Sequence, residues 1–132
     1  MKLNELKEYA KVSPSGSGFY IGDMKELEDN GRMTYLMLVY ASESLYGKNI
    51  INPDEDFDEV EDLDNCIHWK VEDDNFADGF RWFDAITEDG ERWHIRAEYD
   101  LILPRREGKL PGQVNTMYFV EVPKEWYNEA TK

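Results

Sequence analysis

Residues 80–103 read FRWFDAITEDGERWHIRAEYDLIL and contain the clearest supersecondary signal of the chain. Two runs rich in aromatic and β-branched residues flank Asp89 and Gly90, a dipeptide that favours a two-residue turn between antiparallel strands. We therefore expect a β-hairpin centred on this dipeptide. In the register that such a turn sets, Arg81 lies opposite Glu98 on one face of the hairpin.

The expected register gives the hairpin one apolar face, which we assign to the core. Its members are Phe80, Trp82, Ile86, Trp93, Ile95, Ala97, Tyr99, Leu101 and Leu103. Asp84 breaks the pattern, because it falls on this apolar side opposite Ile95. Either a β-bulge intervenes or the carboxylate has a buried partner, since an unpaired charge in a core is costly.

Further elements are predicted on both sides of the hairpin. Leu3, Leu6, Tyr9 and Ala10 recur at spacings of three and four, which predicts a helix of about three turns. The other predicted elements are a loop at 13–18, a short strand at 19–21, a turn or single helical turn at 23–30, a mid-sheet strand at 32–42, a strand at 66–71, an acidic loop at 72–79, a loop at 104–112, a strand at 114–122 and a helix from 123 to 129.

Together these elements predict one α+β domain over residues 1–132. It is built on an antiparallel sheet of about four to six strands, with short helices at the N-terminus, around 53–64 and at the C-terminus. The helix at 53–64 rests on a start signature: Asn52 suits the cap, Pro53 the first helical position, and Glu55 the capping box. Its apolar stripe is Phe57, Val60 and Leu63. An ordered loop is the alternative for this segment.

Residues 54–78 hold most of the negative charge of the chain. Twelve carboxylates and one base, Lys70, give this segment −11 of the total net charge of −14. The twelve are Asp54, Glu55, Asp56, Asp58, Glu59, Glu61, Asp62, Asp64, Glu72, Asp73, Asp74 and Asp78. Crowded like charges repel one another, and a domain stays soluble with a smaller net charge, so a partner with a positive surface is the simplest reason to keep them.

The spacing of these carboxylates fits that of nucleic-acid phosphates. Acids on successive helical turns lie about 6 Å apart, and acids two apart on a strand about 6.6 Å apart. Phosphates along a nucleic-acid strand are separated by roughly 6–7 Å. The segment can therefore occupy a groove of Lys and Arg side chains that binds DNA, with Trp69 and Phe76 supplying the flat contacts of bases. In charge and size, but not in motif, the chain is similar to phage-encoded DNA mimics.

The composition favours a non-catalytic inhibitor or decoy with no cofactor. The expected partner is a basic protein, namely a nuclease, a CRISPR effector or another nucleic-acid-binding protein, as for phage anti-defence or anti-CRISPR proteins and bacterial immunity proteins. A sequence pI near 4.4 argues against direct binding of nucleic acid or an anionic membrane. The single cysteine and the lack of a signal-peptide pattern favour a soluble cytoplasmic protein, in the host cytoplasm if phage-encoded.

Two other classes of function stay open. One is a small enzyme or ligand-binding domain with a pocket under the aromatic-rich sheet, and the other is an accessory protein-interaction module. The sequence singles out no catalytic residue, because no pair among the many carboxylates is distinguished from the rest.

Calcium is the obvious competitor for the acidic segment. Asp54, Asp56 and Asp58 match the first three ligand positions of an EF-hand loop. Glu59, however, stands where glycine must turn the chain, and Asn65 stands where the bidentate glutamate belongs. We therefore predict no specific calcium site.

Other candidate sites are weaker still. Cys66 and His68 share a face if their segment is a strand, but one Cys and two His are too few for a structural zinc site. Arg105, Arg106 and Lys109 form a basic cluster on a single loop. We expect this cluster to pair with the acidic face of the protein itself, and contact with an acidic or phosphate group of the partner is the alternative.

Overall fold

The computed structural model describes residues 2–10, 24–42, 50–62, 67–73, 75–102 and 114–130. Its elements are α1 (Leu3–Ala10), β1 (Met24–Asp29), β2 (Arg32–Ala41), β3 (Phe57–Asp62), β4 (His68–Val71), β5 (Phe76–Thr87), β6 (Arg92–Ile102), β7 (Val114–Glu121) and α2 (Lys124–Ala130). Neither helix in these ranges has the length and apolar character needed to cross a membrane.

The strands form one antiparallel sheet with the hairpin of β5 and β6 inside it. The order is β1-β2-β7-β6-β5-β3, and β4 also pairs with β5. Because β3 pairs with residues 83–87 and β4 with residues 77–80, these two strands follow one another along the same side of β5. The predicted antiparallel sheet is confirmed, although its seven strands exceed the expected four to six.

The hairpin is present, but its register is one residue away from the prediction. The N–H of Thr87 donates to the carbonyl of Glu91, and the N–H of Gly90 donates to the carbonyl of Thr87, both at 2.9 Å. The loop therefore has three residues, 88–90, and Gly90 has a φ of 84°. This is the geometry of a type I turn followed by a bulge glycine, which replaces the predicted two-residue turn.

The register shift turns the side chains of β5 to the face opposite the one predicted. Arg81 pairs with Ala97, and not with Glu98. Phe83 and Ala85 are completely buried in the core. The members of the predicted core face that instead lie on the opposite face are Phe80, Trp82 and Ile86.

The β6 half of the hairpin is as predicted, because only β5 changes its facing. The predicted core residues of β6 that are buried are Trp93, Ile95, Ala97 and Tyr99. Asp84 pairs with His94 rather than Ile95, so the carboxylate leaves the apolar side. The shift at the loop thus removes the apparent violation at Asp84.

The two faces of the sheet have different coverings. On the face that carries Phe83, which we call the helix face, Leu6 of α1 and Trp126 of α2 join the main cluster of buried residues. The opposite face, which we call the second face, has a smaller cluster of Leu36, Trp82 and Phe119.

The start of α1 is attached to the hairpin through Glu91. Its Oε1 atom accepts a hydrogen bond of 2.5 Å from the N–H of Leu3 and one of 3.0 Å from the indole N–H of Trp93. A carboxylate beside the N-terminal turn of a helix is favoured by the helix dipole. The predicted N-terminal helix is confirmed, and Glu91 fixes where it meets the sheet.

The segment 23–30, predicted as a turn, contains a strand instead. β1 pairs with β2 along its whole length, and Asn30 and Gly31 form the connection between them. Their φ angles of 52° and 80° are the positive values that a type I′ hairpin turn requires. β2 then lies between β1 and β7, so the prediction of a mid-sheet strand there is confirmed.

The helix predicted over 53–64 is wrong beyond its first turn. Asn52 does act as a cap, because its Oδ1 accepts from the N–H of Asp54 at 3.1 Å. The reciprocal bond comes from Asp56, whose Oδ2 accepts from the N–H of Asn52 at 2.7 Å, and not from Glu55. From Phe57 the chain is extended as β3.

Two physical reasons favour the strand over the helix here. A helix would stack like charges four apart, as at Asp54 and Asp58, at a cost of about 0.2–0.5 kcal/mol for each pair. The strand instead forms backbone hydrogen bonds with β5. It also buries Phe57, whose ring centroid lies 6.2 Å from that of Phe83.

The remaining predicted elements are present, and one of them is shorter than predicted. The strand predicted at 66–71 is β4, and the loop predicted at 72–79 is limited to 72–75, because β5 begins at Phe76. The strand at 114–122 and the helix at 123–129 correspond to β7 and α2. The predicted loops at 13–18 and 104–112, the strand at 19–21 and Leu103 lie outside the described residues.

Replacing Gly90 by alanine should destabilise the fold by about 1–2 kcal/mol, because a Cβ is disfavoured at its positive φ. Urea denaturation followed by tryptophan fluorescence measures the change. Gly90→Asn is the matched control and should lose less than half as much, since asparagine tolerates this conformation. Equal losses for the two variants would contradict the role given to φ.

Candidate functional site

Most of the acidic segment lies along one edge of the sheet, in β3, β4 and the turns beside them, while residues 76–78 begin the interior strand β5. We call the described residues 54–62, 67–73 and 75–78 the acidic edge. Asp54 and Glu55 are exposed in the turn before β3, and Asp58 is exposed on β3 itself. None of these three carboxylates forms an ion pair with any residue that the structure describes. Their carboxylates are therefore available to a cation from outside.

Arg81 neutralises part of the acidic edge from within. Its guanidinium pairs with Glu59, lies 4.3 Å over the ring of Phe83, and donates from Nε to the Tyr99 hydroxyl at 2.8 Å. Burial by itself would lower the pKa of Arg81, but the hydrogen bonds to Glu59 and Tyr99 outweigh it and raise the pKa above its ordinary value. Glu59 is therefore held by a permanent cation and contributes less free charge than its neighbours.

Other acids of the edge have local structural roles. Asp56 closes the Asn52 cap, as described above. Asp73 accepts from the N–H of Asn75 at 2.6 Å and from that of Phe76 at 3.0 Å, which shapes the turn between β4 and β5. Glu72 pairs with Lys70 at 3.4 Å. These carboxylates stabilise the edge as well as charging it.

Four predicted site residues remain to be placed. Glu61 and Asp62 belong to β3 and pair with Asp84 and Phe83, after a register shift that follows Glu59. Asp64 and Asp74 lie outside the described residues, as does Cys66. The loop of Arg105, Arg106 and Lys109 lies outside them as well.

The two aromatic residues expected to aid binding lie on different faces. Trp69 is 42% exposed, and its ring centroid lies 6.1 Å from that of Tyr99 on the helix face. Gly79 makes room for it, since a Cβ there would stand 2.6 Å from Cε3 of the indole. Phe76 is 49% exposed and follows the opposite parity of β5, which places it on the second face. The structure therefore does not bring this pair together.

A cleft of about 410 Å³ adds residues that sequence reasoning missed. It extends across β4, β5 and β6 and includes Asp100 of β6, which pairs directly with Asp78 of β5. A hydrogen bond with Asp100, together with slight burial and the repulsion of its charge, raises the pKa of Asp78, against lowering contributions from Glu72 and Lys70. The correct register of the hairpin is the signal that would have found this pair.

Part of the cleft lining, together with the neighbouring middle of the second face, is internally neutralised. Glu98 accepts from Lys25 Nζ at 2.5 Å and from Arg96 Nε at 2.8 Å. The two cations lie over aromatic rings, Lys25 4.3 Å from the Phe119 centroid and Arg96 4.0 Å from that of Phe80. Burial alone would raise the pKa of Glu98, but the two hydrogen bonds and the two positive charges outweigh it and lower the pKa.

Asp84 is also satisfied on the second face. Its two oxygens contact Nδ1 of His94 at 2.9 Å and Nη1 of Arg92 at 3.0 Å. The imidazole ring stacks on Trp82 with centroids 4.7 Å apart. Of the two options considered for Asp84, the change of register at the bulged loop is the one observed; the carboxylate does have partners, but Arg92 is exposed and His94 is only half-buried.

Negative charge is not confined to the acidic edge. At the opposite edge of the sheet, Glu26 and Glu28 of β1 are exposed. These acids provide an internal comparison, because they carry the same charge at a different place on the same sheet.

Within the described ranges, no group of three or more His, Cys, Asp or Glu side chains is arranged to hold a metal ion. Asp54, Asp56 and Asp58 belong to a capped turn and the start of a strand rather than to a closed loop. No family model, no curated protein and no solved structure matches the chain.

Replacing Glu98 by glutamine should lower the free energy of unfolding by about 1–3 kcal/mol at pH 7, because it removes charged hydrogen bonds to Lys25 and Arg96. The folded-state pKa of Glu98 is depressed, so its contribution is full above the unfolded pKa of about 4.3 and is lost as the pH falls through the folded value. The difference between variant and wild type should therefore shrink on acidification. Urea denaturation at several pH values measures it.

Glu26→Gln, at an exposed position beside Lys25, is the control and should change stability by no more than about 0.5 kcal/mol. A loss at Glu98 that stays constant from pH 7 to pH 3 would contradict the assignment of this stability to its ionised form.

Proposed function

We propose that the protein is a non-catalytic acidic decoy. It binds the basic groove of a nuclease, a CRISPR effector or another nucleic-acid-binding protein in place of the nucleic acid, and blocks that groove. The observation that carries this proposal is the set of exposed carboxylates without ion-pair partners among the described residues, at Asp54, Glu55 and Asp58, on one edge of a rigid sheet.

The extended form of the edge supports mimicry of phosphates. An extended chain presents its charges along a line, as a nucleic-acid strand presents its phosphates, although on β3 the residue two after Asp58 is Val60 and Glu59 is paired with Arg81. Asp58 projects from such a strand, and its neighbours Asp54 and Glu55 continue the charge into the preceding turn. The helical spacing considered from the sequence is not needed, because only one helical turn forms.

The arrangement of internal ion pairs supports the same proposal. Among the described residues, cations of the sheet such as Arg81 and Arg96 direct their guanidinium groups to the protein's own carboxylates. A net charge of −14 then generates a long-range field that attracts a basic partner and speeds association, and that weakens as salt screens it.

The direct test is capture of a partner followed by competition. The protein is immobilised and exposed to lysate at 50 mM and 500 mM salt, and captured proteins are identified by mass spectrometry. We expect a basic nucleic-acid-binding protein that is retained at low salt and that a short DNA or RNA duplex displaces. A captured protein that nucleic acid does not displace would contradict occupation of the groove.

Neutralising the acidic edge should weaken binding to that partner. The variant Asp54→Asn with Asp58→Asn should bind about tenfold more weakly at low salt, since each exposed ion pair contributes a factor of roughly two to five. Biolayer interferometry with the captured partner measures the dissociation constant and its salt dependence.

The matched control is Glu26→Gln with Glu28→Gln at the opposite edge, which changes the net charge by the same amount. It should weaken binding by about twofold or less, through the long-range field alone. Equal effects of the two variants would show that bulk charge, and not this edge, governs binding. Indifference to both would favour the alternative of a small enzyme or ligand-binding domain that uses the cleft at Asp78.

A further inference from the structure

The outer side of β4 is an open edge of the sheet. β4 pairs with β5 on one side, and no other described strand pairs with it. The N–H of Glu72, which follows β4, donates to the carbonyl of Phe76, so these two residues form a hydrogen-bonded pair of the antiparallel ladder. Because such pairs alternate along a strand, Lys70 directs its backbone groups to β5, whereas those of Trp69 and Val71 point away from the sheet.

The side chains beside these outward backbone groups are apolar and exposed. Trp69 and Val71 lie on the helix face, where they are 42% and 67% exposed. The indole of Trp69 is held against the sheet, because Gly79 has no Cβ to displace it and the ring of Tyr99 lies beside it. β4 therefore presents an aromatic surface next to unpaired backbone donors and acceptors.

The other outer strands are protected against pairing in a way that β4 is not. Glu26 and Glu28 are exposed on β1, and Asp58 is exposed on β3. Charged side chains of this kind are a common protection against the addition of a strand. The lysine of β4, Lys70, lies on the second face and pairs with Glu72 at 3.4 Å, so its charge is already matched. The outer side of β4 is thus the place where this sheet accepts another strand.

We propose that a segment of the basic partner adds to the sheet as a strand beside β4. Its main chain hydrogen-bonds to the outward groups of Trp69 and Val71, and its alternate apolar side chains pack on these two residues. The inference rests on the proposed function for the sign of the partner's charge. It deepens that function, because it specifies how the partner is held.

Charge complementarity selects a basic segment as the occupant. Residues 54–78 carry −11, and Glu72 and Asp73 are exposed where β4 ends. Lysine or arginine side chains at the ends of the added segment are attracted by this charge, while the residue opposite Lys70 is best uncharged. The segment therefore has an uncharged centre with alternate apolar residues and basic ends.

A second copy of the chain is a poorer occupant of the same edge. Pairing of β4 with β4 of another molecule would bring together two chains that each carry a net charge of −14. Their acidic segments would then lie side by side, and the repulsion between them opposes association. A basic segment reverses the sign of this interaction.

The experiment uses the intact protein and a peptide of the sequence Lys-Lys-Val-Thr-Val-Lys-Lys, blocked at both ends, as the probe. The control peptide has N-methyl groups on its two valines, which leave the charge unchanged but remove the N–H donors that face β4. Isothermal titration calorimetry at 50 mM salt measures both affinities. The unmodified peptide should bind at least about fivefold more tightly, since each backbone hydrogen bond contributes a factor of roughly two to ten.

A proline at position 71 tests the edge from the side of the protein. Val71→Pro removes an outward N–H and leaves the pairing with β5 intact, as proline is tolerated where the N–H of an edge strand faces solvent. It should bind the unmodified peptide about fivefold more weakly than wild type. Val71→Ala keeps the N–H and should lose about twofold. Equal losses would contradict a backbone contact, and the two peptides test the proposal on wild type if Val71→Pro does not fold.

Amide hydrogen exchange followed by NMR locates the bound peptide. The amides of Trp69 and Val71 should exchange several-fold more slowly when the unmodified peptide is bound. Those of Glu26 and Glu28, at the opposite edge, should not change. Protection at the opposite edge in place of β4 would overturn the assignment of the edge.

The outcomes separate this inference from the function on which it rests. Equal binding of the two peptides, or binding of neither, would overturn strand addition at β4, while the capture experiment with the Asp54 and Asp58 variants still decides the decoy. A captured partner that nucleic acid does not displace would overturn the decoy alone. A dimer of the wild type in analytical ultracentrifugation that Val71→Pro dissociates would assign the edge to a second copy and overturn the inference.

Discussion

The register of β5 against β6 is the constraint on which the rest of the structure depends. Side chains alternate with a period of two, so a shift of one residue exchanges the faces of a whole strand. The three-residue loop, made accessible by the positive φ of Gly90, selects the register that buries Phe83. The same choice brings Asp84 to His94 and Asp78 to Asp100, so one loop organises both the core and the cleft.

A second theme is the distribution of charge around this sheet. Its basic side chains are used internally: Arg81 holds Glu59, while Lys25 and Arg96 together hold Glu98. Several exposed carboxylates that have no such ion pair among the described residues lie at the margins of the sheet. The proposed function depends on this arrangement, in which the carboxylates named above are paired with cations and these carboxylates at the margins are not.

The sequence predicted those elements whose local signals have one interpretation. Alternation of apolar residues identified β7, and Asn52 was recognised as a cap. The helix over 53–64 failed because apolar residues three apart, with a cap before them, do not reveal that an unpaired side of β5 is available. Asn30-Gly31 did carry a hairpin signal, but the many charged residues of β1 obscure the alternation of buried and exposed side chains along that strand. The composition was enough to locate the acidic edge. Asp100 could be placed opposite Asp78 only from the register of β5 against β6, which depends on the length of the loop between them.

The two acidic margins of the sheet also bear on self-association. An outermost strand exposes backbone groups that can pair with another chain, and charged side chains are a common protection against such pairing. β1 carries the exposed Glu26 and Glu28, and β3 carries the exposed Asp58, so like charges oppose the approach of two copies of the protein edge to edge. Replacing these carboxylates by neutral side chains would remove that barrier, and edge-to-edge pairing of chains would then compete with the native sheet.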